Sequence, residues 1–156
     1  MVSMASTIVV GIDGSPGSDR ALHWAISEAR ASDRPLLLVH VWHWHTDIVA
    51  SPMSLVGTSD ARKAGRHLLG RAVAQARQQG VTATGRLLEG AAAKTLVKAA
   101  NEAAMLVVGS HGYRGLSKAF LGSVSTGCVR QAHCPVVVIP PHVAEAHERR
   151  LAVTRA

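Results

Sequence analysis

Acidic residues are scarce in this chain: 10 Asp and Glu stand against 17 Lys and Arg in 156 residues, a formal charge of +7. Such an excess favours polyanions of every kind (nucleotides, nucleic acid or an anionic membrane surface) without choosing among them. Aromatic residues are scarcer still, at 3%. Single-strand binders stack bases on aromatic side chains, so nucleic acid loses ground as a partner. Only two cysteines occur, Cys128 and Cys134. They form neither a disulfide framework nor a C-x-x-C pair, and they read as small buried hydrophobes of a reducing compartment. Unbroken apolar runs such as 35–39 and 135–141 fall far short of the roughly 20 residues that span a bilayer. Residues 1–6 carry neither a basic start nor the apolar stretch of an export signal, so the expected address is cytoplasmic.

What is present is core material. Hydrophobic residues make up 47% of the chain and charged residues 17%, a balance that folds, and the length fits one domain. That domain is expected over residues 1–141, followed by a polar tail, 142–156, with Glu145, Glu148, Arg149, Arg150 and Arg155. Five apolar segments read as strands: residues 7–13, Leu36 to Trp42, 81–88, 105–108 and Val136 to Ile139. The third mixes Thr82, Thr84 and Arg86 with apolar neighbours, as a half-exposed edge strand does. Helical periodicity fills the intervals. Ser15 and Pro16 supply an N-cap and a first helical residue ahead of Leu22, Ala25, Ile26 and Ala29. A second helix is expected over 61–79, stopped by Gly80, after an irregular loop from His43 to about Asp60 that carries Pro52 and Gly57. A third covers 91–103, and a fourth opens at Gly122 and Ser123. Regular alternation of this kind specifies an α/β fold, a five-stranded, mostly parallel sheet with helices on both faces.

Ligands of open α/β sheets sit beyond the carboxyl ends of the strands, where strand order reverses. Two such ends stand out, Gly11-Ile12-Asp13-Gly14 and Gly109-Ser110-His111-Gly112. Glycines there let backbone N–H groups approach a ligand, and the helix opening at Gly122 offers its positive end to an anion. No Asp or Glu occurs between Gly109 and Ser125, while Arg114 and Lys118 do. The loop is neither a Walker A sequence, since no Gly-Lys pair exists, nor Gly-x-Gly-x-x-Gly. A standard P-loop NTPase and a standard dinucleotide oxidoreductase are therefore not indicated.

The spacing Gly109-x2-Gly112-x9-Gly122-Ser123, with the opening strand Ile8-Val9-Val10-Gly11-Ile12-Asp13-Gly14-Ser15 and the closing Pro135-Val136-Val137-Val138-Ile139, resembles the universal stress protein family, specifically its ATP-binding branch. The resemblance implies a Rossmann-like sheet of order 3-2-1-4-5 with ATP, accompanied by Mg²⁺, at the switch between strands one and four. It implies Asp13 and the Val41 backbone at the adenine side, Gly109 by the ribose, and Gly112, Gly122, Ser123, Val124 and Ser125 at the phosphates. His111 and Arg114 occupy variable positions of the same motif. It further implies a homodimer through Val136 to Ile139, which agrees with the physical problem of an apolar strand at a sheet edge.

Other readings are weaker. His43, His45 and Asp47 lack further metal ligands at recognised spacing. The glycine loop offers donors and cations but no general base, so slow ATP hydrolysis at most is expected, with the nucleotide biasing a regulatory partner that the sequence does not name. The competing class is a basic nucleic-acid or protein-partner module in which the glycine loop is only a turn.

Overall fold

The computed structural model describes residues 3–43, 54–111 and 121–141. After a single 3-10 turn the strands are β1 (Ile8–Gly11), β2 (Leu36–Trp42), β3 (Ala83–Glu89), β4 (Met105–Gly109) and β5 (Val136–Ile139). The helices between them are α1 (Pro16–Ser32), α2 (Ser54–Gln78), α3 (Ala92–Ala99) and α4 (Ser123–Gln131). The sheet order is β3-β2-β1-β4-β5, and every neighbouring pair is parallel. "Mostly parallel" becomes wholly parallel.

Period-two alternation distributes the core between two layers. Ile8, Val10, Leu36 and Leu38 pack with α1 and α2 through Ala21, Leu22, Ile26, Leu69 and Ala72. Val9, Leu37, Val39, Leu106 and Val108 face the other way, onto Leu96 of α3, Ala100 at its C-cap and Cys128 of α4. Ile8, Val9 and Val10 are fully buried, each contributing about 1.5–3 kcal/mol through removal from water. Strands buried on both faces read as unbroken apolar runs, which is why β1, β2 and β4 were legible in the sequence.

Three expectations change. α2 starts at Ser54 rather than at Ala61, so residues 54–60 are helical where an irregular loop was expected. Gly57 costs about 1 kcal/mol in a helix relative to alanine but does not end one whose neighbours on both sides are helical. α3 ends at Ala99 instead of reaching residue 103. Cys128 is buried as expected, whereas Cys134 is only half-buried. Burial, aided by the nearby Cys134, pushes the Cys128 thiol up to about 11, and burial raises Cys134 also. Both remain protonated thiols at neutral pH, so neither is a nucleophile there. The 142–156 tail and the greater part of the His43 to Asp60 segment lie outside the described residues.

Candidate functional site

The site begins with the turn between β1 and α1. The Asp13 carboxylate accepts the Ser15 N–H at 2.8 Å, and the Ser15 hydroxyl oxygen caps α1 by accepting the Ser18 N–H at 3.2 Å. Ser18 closes the turn, its Oγ accepting from Gly14 N–H at 3.1 Å and donating to the Ser15 carbonyl. These local bonds hold Asp13 at the strand end, where it is exposed. The neighbouring Ile12 N–H donates to the Val39 carbonyl at 2.8 Å, and His40 Nδ1 donates to the Ile12 carbonyl at 2.7 Å.

The second wall is the junction of β4 with α4. Ser110 N–H donates to the Ile139 carbonyl at 3.0 Å, and the Ser110 carbonyl receives both the Gly122 N–H at 2.7 Å and the Ser125 hydroxyl at 3.0 Å. Strand end and helix start are therefore clipped together whatever path the intervening residues take. Gly122 is the N-cap of α4 and offers no side chain, so the cap makes no claim on the first N–H groups of the helix, which have no intrahelical partner. His111 Nδ1 hydrogen-bonds the Ser110 hydroxyl at 3.0 Å, while its buried Nε2 has no hydrogen-bond partner among the described residues. A buried ring nitrogen left unsatisfied costs energy that an incoming ligand atom would recover.

The two walls meet at a glycine seam. A Cβ on Gly17 would run into the His111 carbonyl, and one on Gly109 would stand 2.6 Å from the Gly17 carbonyl carbon and oxygen. These glycines let the first turn of α1 approach the end of β4 at backbone distance.

Between the walls lies a cleft of about 350 Å³. Of the ten residues singled out from the sequence, eight line it: Asp13, Val41, Gly109, His111, Gly122, Ser123, Val124 and Ser125. Gly112 and Arg114 lie outside the described residues. Ser125 stands there in a different capacity from the one expected. Only 2% exposed, it shares its hydroxyl between the Ser110 and Gly122 carbonyls, so it positions the helix start rather than offering a free donor. Gly109 likewise owes its lack of a side chain to Gly17.

Sequence reasoning missed the apolar floor, Val39, Ala92 and Leu96, together with Ser15 and Ser110. Leu96 sits on α3, and no local pattern says that this helix crosses beneath the strand ends. His43 also lines the cleft. Among the described residues no group of three or more His, Cys, Asp or Glu is placed to hold a metal ion.

The model of the universal stress protein family matches residues 4–140. The chain belongs to this family. A universal stress protein of Mycobacterium tuberculosis is 37% identical over 142 residues, covering 85% of this chain and 46% of that protein. The chain thus spans about half the length of the curated relatives it matches. Among solved structures, a universal stress protein from Burkholderia pseudomallei superposes with a TM-score of 0.69 at 32% identity, covering 90% of this chain and 99% of that one. A family member from Arabidopsis thaliana, solved with AMP bound, superposes with a TM-score of 0.66 at 26% identity, covering 90% of this chain and 94% of that one. The five-stranded order β3-β2-β1-β4-β5 of this chain is the universal stress protein fold.

Proposed function

We propose that this chain is a nucleotide-binding regulatory module whose ligand is ATP, carried with Mg²⁺, in the cleft between β1 and β4. One observation carries the reading: a single cleft joins an apolar floor of Val39, Val41 and Leu96 to a polar end formed by the α4 N-terminus and the unpartnered His111 Nε2. An apolar slot beside convergent donors suits a flat base linked to an anion. The AMP bound by the Arabidopsis family member supports the same ligand class.

In this reading Asp13 and the Val41 backbone receive the adenine side and Gly109 flanks the ribose. Ser123 and Val124 present backbone N–H groups to the phosphates beside Gly122, whose own N–H is spent on the Ser110 carbonyl and whose missing side chain leaves room for them, with Gly112 and Arg114 completing that end. Among the described residues Asp13 is the only carboxylate on the cleft, so Mg²⁺ would be held by phosphates and water and arrive with the nucleotide. Asp13 is engaged by the Ser15 N–H and belongs to the base end, which leaves the phosphate end without a general base. Hydrolysis is accordingly slow, and the nucleotide acts by biasing conformation or partner choice.

Calorimetric titration of nucleotide-stripped protein tests this directly. ATP with Mg²⁺ is expected to bind with a dissociation constant of about 1 μM, or roughly 8 kcal/mol, and to weaken little between low and physiological salt. No heat and no displacement up to millimolar ATP or AMP would overturn the reading, as would turnover near 10 per second for its non-catalytic part.

Self-association through β5 is the second element of the proposal. The Leu106 and Ser110 N–H groups donate to the Pro135 and Ile139 carbonyls, so residues 135, 137 and 139 spend their polar groups on β4. Alternation then directs those of Val136 and Val138 to the open edge. Val138→Pro removes one outward N–H and leaves the β4 ladder intact. The wild-type chain is expected to sediment as a dimer at micromolar concentration and this variant as a monomer of similar melting temperature. A wild-type monomer would sink the idea.

A further inference from the structure

The positive charge of this chain is not evenly spread. Lys63, Arg66 and Arg71 are all exposed on α2, and helical periodicity at 100° per residue gathers them with His67 on the side away from Gly65, Leu69, Ala72 and Ala76, whereas Arg77 is turned back to donate from Nε to the Ala83 carbonyl at 3.0 Å. Asp60 is the only acid between Ile48 and Leu88. Helix polarity does not account for this ridge, because Lys63 and Arg66 lie more than two turns from either end of the 25-residue helix, out of reach of the macrodipole. Nor does pairing: Arg62 and Arg66 stand at i,i+4, and Lys63 and Arg66 at i,i+3, spacings at which like charges repel.

The middle of the ridge is bare. Gly70 is exposed, a Cβ there would meet nothing within 4 Å, and Ala74 follows one turn later. Nothing inside the molecule requires a glycine at this point of a helix. Its effect is outward, allowing an external backbone to approach the helix between flanking cations.

We infer that this face of α2 is a docking surface for the phosphate backbone of double-stranded nucleic acid, bound without base readout. From Lys63 to Arg71 the ridge runs roughly 12 Å at 1.5 Å per residue. A duplex carries one charge per about 1.7 Å, so a run of phosphates can face it. Arginine forks suit phosphate oxygens, and the scarcity of aromatics that argues against single strands is irrelevant to a stacked duplex. An anionic bilayer fits less well, since an interfacial helix needs apolar side chains to insert. The exposed large hydrophobics among the described residues are Leu121, Val124 and Val129, in or beside α4 and not on α2. No residue of the ridge lines the nucleotide cleft, so the two sites stand or fall separately.

Fluorescence anisotropy of the full chain with a labelled mixed-sequence DNA duplex of about 20 base pairs, between about 50 and 200 mM salt, decides the matter. The wild type is expected to bind with steep salt dependence. Lys63→Gln/Arg66→Gln/Arg71→Gln should weaken binding at least tenfold and flatten the log–log salt slope by roughly 2–3, about 0.9 per lost phosphate contact. Lys94→Gln/Lys98→Gln/Arg130→Gln, which removes equal charge from α3 and α4, should stay within about twofold of wild type. Equal loss in both variants would reduce the effect to net charge and overturn the proposal. So would displacement of the duplex by AMP, absence of binding at the lowest salt, or capture by phosphatidylserine vesicles in place of the duplex.

Discussion

Gly17→Ala is expected to lower the melting temperature by several degrees, up to roughly 8 °C, and to weaken nucleotide binding in the same variant. Helix propensity alone favours alanine there by about 1 kcal/mol, so any net loss reports sterics. The new Cβ would collide with the His111 carbonyl, a backbone atom that cannot rotate aside. Overpacking of this kind costs about 1–3 kcal/mol, each worth about 2–4 °C in a domain of this size. Because the seam also sets the spacing of the two cleft walls, affinity should fall with stability. Gly70→Ala is the control, with identical chemistry in open space, and should raise stability by about 0.5–1 kcal/mol. Thermal unfolding of both variants, with AMP calorimetry on the first, checks the pair. A Gly17→Ala protein as stable as wild type would mean that α1 does not abut β4 as described.

Ser123→Pro is expected to cost nucleotide affinity about tenfold or more with little change in stability. Ser123 is the first residue of α4, where proline's fixed φ suits the helix and its missing N–H breaks no intrahelical bond. Gly122 before it is already extended, at φ −65° and ψ 166°, the conformation that a following proline demands. The substitution therefore removes one donor from the phosphate end and little else. Gly122→Val, by comparison, confounds two effects. Its Cβ would stand 3.1 Å from the Ser110 carbonyl oxygen, prying the clip apart as well as crowding the ligand. Unchanged AMP affinity in Ser123→Pro would remove the α4 N-terminus from the site.

Boundary errors were confined to elements whose limits are not written locally. β2 and β5 stand where the apolar runs place them, and Ser15 and Pro16 mark the start of α1. The start of α2 was misplaced because proline and glycine punctuate a loop and a helix entrance alike. Site residues divide in the same way. Asp13, Gly109, Gly122 and Ser123 sit at strand ends or a helix start, positions that a sequence can mark. Leu96, Val39 and Ser110 come to the cleft through the crossing of α3 and the bonding of β4 to α4.

The sequence by itself determined the alternation of strands and helices, the apolar character of β1, β2 and β4, and the acid-free glycine loop after β4, because each is a property of neighbouring residues. Only the tertiary structure decided that Gly17 and Gly109 serve each other, that Ser125 spends its hydroxyl on two carbonyls, and that Lys63, Arg66 and Arg71 share the outward side of α2. Those facts depend on contacts between segments distant in the chain, or on which side of a helix the core claims. Sheet order settles both, and no local pattern encodes it.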